Sequence, residues 1–377
     1  MEVRALQGVN NIEATKWNSF VSPNDPFLQH AFLHALEESQ SAHSETGWQP
    51  FHLALYEKET LVGLAPMYIK MHSYGEYIFD WGWAEAAERA GLDYYPKILN
   101  AVPFTPATGQ RFLGKTETIR KTLWLAMQQI GMELGVSSEH VLFLNKTQFQ
   151  ETSRMENTIA RLTYQFHWEN PQVEDFQEWL SLFSSKARKN IKVERKKAQA
   201  GVDRIFHLRG SELSDLHISK IWSFYCSTIN RKWGQPYLTR SFFEHLRTSL
   251  AAQTIVFFAE LNSDIIAAAL CFQQGKHLYG RYWGCSEFAD FLHFELCYHQ
   301  PIALCIKEGW TRFEAGAQGQ HKLKRGLLAT PTYSLHRLHH QGLHHAVKEA
   351  IQRENFRTEQ EIKIQNQHSP FKCSPST

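Results

Sequence analysis

Two stretches of the chain place apolar runs and turn residues in the same order. FHLALYE is followed by KET, LVGLAPMYIK and GEYIFDWGW, and much later TIVFFAEL is followed by NSD, IIAAALCFQ, QGK and HLYGRYWG. β-Branched and aromatic runs broken by turn residues predict an antiparallel three-strand meander in each. Phe79, Trp83, Leu92 and Tyr94 also precede Tyr279, Trp283, Leu292 and Phe294 by 200 positions. A meander, a helix and a further strand occurring twice predict a duplicated α/β (α+β) unit. The first copy continues through a helix over 84–100, the loop VPFTPATGQRF, a helix over 116–134 and the strand HVLFLNK. LTYQFHW predicts a strand leading to the second copy. The boundary falls near Asn170, giving units 1–170 and 171–365, and the aperiodic end over 366–377 predicts a flexible tail.

Composition narrows the classes. Hydrophobic residues make up 43% and charged residues 21% of 377, a globular balance long enough for two cores. Forty basic against 38 acidic residues leave a net charge of +2. No general field for DNA or a membrane surface is expected, and a polyanion would need a local patch. Six cysteines form no CxxC pair, and several lie inside apolar runs, as buried thiols of a reducing compartment do. The N-terminal residues lack a signal-peptide core, and no run approaches a membrane span of about 18–20 apolar residues. A cytoplasmic location follows as the expectation.

The candidate chemistry concentrates between Leu278 and Gly326: LYGRYWG, then FLHFELCYHQPIALCIKEGW, then TRFEAGAQGQHKLKRG. His293 and Glu295 flank the start of a helix, where unpaired N–H groups favour anions. Glu295 is a general base if burial raises its pKa, or else ordinary compensation of the helix dipole. The glycine-rich segment before His321, Lys322, Lys324 and Arg325 suits a phosphate contact or a plain surface turn. Pro301 is expected to kink the helix it interrupts. Trp81, Tyr282 and Trp283 are candidate cleft walls or simple core. Upstream, seven of the twelve residues over 186–197 are basic and only Glu194 is acidic. That run reads as a solvated helix face or as an RNA-backbone contact. His336, His340 and His344 would share a helix face, but PTYSLHRL reads as a strand and no carboxylate accompanies them, so no metal is expected. Walker, GxGxxG, HExxH and GxSxG patterns are absent, and His293-Phe294-Glu295 lacks the PCxxC partner of a zinc deaminase.

YGRYWG, LHFELCY, FEAGAQGQHKLKRG, YQFHWEN and SSKARKNIKVERKKA, with FDWGWA, YYPK and PFTPATGQRFL in the first half, resemble the FemAB-like predicted N-acyltransferases. The resemblance reaches about Ile351. It implies two tandem GNAT-like units, each a mixed, mainly antiparallel sheet flanked by helices. It also implies acyl or aminoacyl transfer to an amine acceptor, from acyl-CoA or from aminoacyl-tRNA as in the Fem relatives that extend cell-wall peptides. No tightly bound cofactor is implied. Glu314 and the loop His321-Lys322-Leu323-Lys324-Arg325 match the place of a Lys-containing loop after the fifth strand, making Lys322 and Arg325 donor or phosphate contacts. GCSEFADF stands where the CoA pattern [QR]xxGx[GA] would lie. In the implied mechanism Glu295 or His293 takes the proton from the attacking amine. The competing class is a non-catalytic ligand- or RNA-binding protein on a degenerate GNAT scaffold.

Overall fold

The computed structural model describes residues 1–230, 234–316 and 319–372. Of these, 1–22, 27–164 and 331–361 form one compact unit and the remainder a second. The expected division at Asn170 is thus corrected: the break falls at Gln165, and 331–361 returns to the first unit. Strand pairing is the reason. Ser138–Leu144 takes Lys97–Asn100 as its parallel neighbour, and the end of the strand Leu328–Leu338 as its antiparallel one, Leu338 opposite Ser138. A late segment therefore completes an early sheet.

In the first unit, His52–Glu57 and Thr60–Ala65 pair antiparallel about Lys58, whose φ is 54°. The expected third strand over GEYIFDWGW does not form. Pro66 ends Thr60–Ala65, Gly75 and Tyr77 take positive φ, and Trp81–Arg89 is a helix. Lys97 organises the bend: its buried ammonium donates to Ser73 Oγ at 2.8 Å, Glu76 Oε2 at 2.9 Å and the Asp80 carboxylate. Lys97–Asn100, assigned to a helix by its pattern, is a strand. The 200-residue register is not structural equivalence, since Trp83 lies on a helix and Trp283 on a strand. The helix Glu117–Leu134 forms as its caps dictate: Thr116 Oγ1 accepts from Ile119 N, and Gly135 closes the end at φ 66°. Its Leu123, Trp124 and Met127 pack on Leu53, Leu55, Ile98 and Val141.

In the second unit, β1 (Arg204–Arg209), β2 (Thr254–Leu261), β3 (Asp264–Gln274) and β4 (His277–Cys285) pair antiparallel in that order. The expected β2–β3–β4 meander is present. β5 (Arg312–Glu314) joins parallel to β4 and takes the end of Ile159–Glu169 as its other, antiparallel neighbour. The helix Asp215–Asn230 buries Ile218, Ile221, Phe224 and Tyr225. The basic helix Ser185–Ala200 starts at a Ser184 cap and buries Ile191 and Ala198.

The tail is corrected as far as it is described. The helix Gln341–Gln367 runs into it, and Asn366 exchanges two hydrogen bonds with the Ala329 backbone at 2.9 and 3.0 Å. Pro370 O accepts from Ser184 N, Lys372 N donates to Leu182 O, and Phe371 packs on Phe183. Cys373 and the residues after it lie outside the described residues.

Candidate active site

β4 and β5 run together for three residues, His277 opposite Arg312, Leu278 opposite Phe313 and Tyr279 opposite Glu314. They then part: β5 stops, Gly316 takes φ 79°, and β4 continues to Cys285. From Gly280 onward this β4 edge has no strand beside it among the described residues. A bulge helps. Leu270 lies opposite Tyr282 and Cys271 opposite Gly280, leaving Arg281 as the extra residue. The opening holds a cavity of ≈ 120 Å³ walled by Gly280 to Trp283, by Ala269 to Cys271, by Ala315, and by His293, Cys297 and Tyr298.

The helical wall is irregular for a chemical reason. Leu292–Phe294 is one α-helical turn, Glu295–His299 is a π turn, and Gln300–Lys307 resumes the α-helix with Pro301 in its first turn. Proline has no N–H to return to the carbonyl four residues back, and the turn before it is the widened one. The wider turn brings His293, Cys297 and Tyr298 to the cavity together. His293 meets the Trp283 ring at 5.2 Å and the Tyr298 ring at 5.6 Å, both edge-on.

Glu295 lies elsewhere. It is fully buried, its two oxygens held by Arg195 Nε at 3.2 and 3.1 Å. Oε1 also accepts from Arg195 Nη2 at 3.1 Å, Gln199 at 3.1 Å and Gln300 at 2.8 Å. Oε1 is thereby saturated, and Glu295 is not among the residues that line the cavity. Phe294 is half-buried under the Arg325 guanidinium, 3.3 Å from its ring centre.

The loop after β5 forms a short 3-10 helix, Gln320–Arg325. Ala317 and Gln318 of its glycine-rich approach lie outside the described residues. His321 Nε2 and the Tyr298 hydroxyl are 2.9 Å apart. Burial, then the charges of Arg325 and Lys322, hold the His321 imidazole below its usual range. Lys322 is buried and donates to Gly316 O at 2.8 Å, and burial pulls its ammonium down to about 7. Arg325 is turned inward, donating to His321 O at 2.8 Å and to Glu194 Oε1 at 2.9 Å. Lys324 is exposed. Glu314 is buried with His167 3.7 Å and Arg312 3.8 Å away, both within the sheet. Tyr282 lines the cavity edge-on to Tyr225 at 5.1 Å. Trp81 belongs to the first unit, where it borders a separate groove of ≈ 680 Å³ with Tyr94 and Tyr95. His336 lies in a strand, His340 in a turn and His344 on a helix, so the one-face array of histidines does not form.

Sequence reasoning missed Cys297, Tyr298, Arg281 and the tie from the basic helix. One signal was available: Glu194, the single acid in a basic run, faces inward to Arg325. The Tyr298–His321 contact had none, since it depends on the π turn.

The sequence model of the FemAB-like family, described as peptidoglycan biosynthesis/recognition, matches residues 8–373. No curated protein matches the chain in sequence. Among solved structures, FemX is similar with a TM-score of 0.54 at 13% identity, covering 92% of this chain and 100% of that one. The C-terminal domain of a putative lysylphosphatidylglycerol synthetase from Agrobacterium fabrum gives 0.55 at 9%, over 90% and 95%. The structure of L-PGS from Bacillus licheniformis gives 0.51 at 9%, over 84% and 95%. At such identities the likeness is one of fold.

Proposed function

The chain belongs to the FemAB-like family, of peptidoglycan biosynthesis or recognition, and we propose that it is an aminoacyltransferase whose second unit moves an aminoacyl group from tRNA to an amine. The observation that carries this reading is the cavity where β4 and β5 part, with His293 and Tyr298 on its wall and His321 behind Tyr298. The acceptor amine attacks the aminoacyl ester carbonyl, and His293 takes its proton. If His321 donates from Nε2 to the Tyr298 oxygen, the phenol proton is free for the departing ribose oxygen. The C–N bond forms as the C–O bond breaks, and His293 returns its proton to Tyr298 through solvent. Lys322 supplies a positive charge beside the cavity that it can shed near neutral pH.

Glu295, committed to Arg195, has no place in this scheme as a base. The choice of tRNA over CoA rests on the exposed side chains of Lys186, Lys189, Lys192 and Lys196 along one helix. Spaced cations suit a phosphodiester chain, whereas CoA needs only a pocket. The test is transfer of labelled amino acids to a peptidoglycan-precursor peptide, with charged tRNA or acyl-CoA as donor. Ribonuclease-sensitive transfer, reduced at least about 100-fold in kcat by Tyr298→Phe, is the expected result. Transfer from CoA alone would overturn the donor, and none from either would leave a binding protein.

A further inference from the structure

Glu194 and Arg195 are neighbours on the basic helix, yet each turns its charge inward to a different element. Glu194 Oε1 accepts from Arg325 Nη2 at 2.9 Å, and Glu194 Oε2 stands 3.6 Å from His299 Nε2. Arg195 holds both oxygens of Glu295, which opens the π turn. Gln199, one helical turn beyond Arg195, donates to the same carboxylate. On the far side, Arg325 donates to His321 O and stacks on Phe294. Both elements that supply the Tyr298–His321 contact are thus fastened to consecutive residues of one helix. Glu295 and His299 are fully buried, and Arg325 is 4% exposed, so water does not weaken these ties as it would on a surface.

We propose that Glu194 and Arg195 are positioning residues, which clamp the π turn and the loop Gln320–Arg325 so that Tyr298 and His321 keep their hydrogen bond in the cavity wall. The assignment rests on the transfer reading for its kinetic consequence and on geometry alone for its structural one. The pair touches neither the cavity nor a substrate. Its action is to hold two groups whose contact spans 23 positions of sequence, and a shift of about 1 Å in such a pair costs up to about 100-fold in rate. The helix therefore has two duties on two faces: outward lysines meet the donor, and the inward pair holds the machinery.

The experiment compares Glu194→Gln, Arg195→Gln and the milder Arg195→Lys with the lysine variant Lys189→Ala/Lys192→Ala. The inward variants are expected to lower kcat on the order of 10–100-fold with donor KM held. Arg195→Lys should recover part of the loss, and the lysine variant should raise donor KM with kcat held. In parallel, the ¹⁵N ring signals of His321 report its hydrogen bond with Tyr298 without any turnover. Glu194→Gln should shift them towards those of Tyr298→Phe. Wild-type His321 signals in a folded Glu194→Gln or Arg195→Lys protein would overturn the proposal, as would an effect confined to donor KM. A wild type silent in transfer would sink the transfer reading instead, and the ring signals would still decide the clamp. If Glu194→Gln does not fold, Arg195→Lys, which keeps the charge, carries both readouts.

Discussion

Of the three lysines buried among the described residues, Lys97 in the first unit and Lys322 in the second have opposite fates. Lys97 and Lys322 are 0% and 3% exposed, and burial alone would strip the proton from either. At Lys97 the carboxylates of Glu76 and Asp80 outweigh that burial and raise the ammonium above its usual range. At Lys322, which donates to Gly316 O, burial prevails and leaves a pKa of about 7. The first lysine is a strut. The second is a buried amine in the short helix after β5. Identity and burial are alike, so the partners make the difference.

The sharpest way to break the comparison is to remove both ammonium groups. Lys97→Met strands two buried carboxylates, and a loss of roughly 3–5 kcal/mol is expected in denaturant unfolding. A loss below about 1 kcal/mol would show that Lys97 is not the strut described. Lys322→Met removes an ammonium that burial disfavours and should fold, while its transfer rate falls.

The pH dependence of Lys322→Met sharpens the contrast. Burial lowers this lysine in the folded state to about 7, against 10.5 ordinarily. Between those values the unfolded chain binds more protons, so wild-type stability rises with pH. The variant should gain most over wild type below pH 7, and the gain should fade as pH approaches 10.5. Melting curves across that window check this, and a gain that does not change with pH would place the charged amine in a polar setting. At Lys97 the sign is reversed. Its contribution is complete at neutral pH and is lost only as pH rises through its elevated folded value.

The smallest expected effect concerns the outward lysines. Lys189→Ala with Lys192→Ala should weaken RNA binding and flatten its dependence on salt, by about 0.7 in log–log slope for each single-strand phosphate that the variant no longer neutralises. Stability should stay within about 0.5 kcal/mol of wild type, as is usual on exposed helix faces. An unchanged salt slope would make that face merely solvated.

Much of the second unit was legible along the chain. TIVFFAEL, IIAAALCFQ and HLYGRYWG form the expected meander. The first unit was less legible. GEYIFDWGW has the composition of a strand, but Lys97 draws its polar residues into a bend, and hydropathy does not register an ammonium about 20 residues ahead. At the site, His293, His321 and Lys322 could be marked by type and neighbourhood. The role expected of Glu295 could not survive Arg195, 100 positions away.

By itself, then, the sequence determined the meander of the second unit, the capped helix Glu117–Leu134, which helix is basic and which segment concentrates chemistry. Periodicity, caps and turns are settled by neighbours within a few residues. The tertiary structure decided that 331–361 completes the first unit, that β4 and β5 part to leave a cavity, and which charges are consumed internally. Those outcomes depend on pairing and desolvation between segments that the fold brings together across scores of residues, and a carboxylate reads the same in the chain whether a guanidinium or a substrate awaits it.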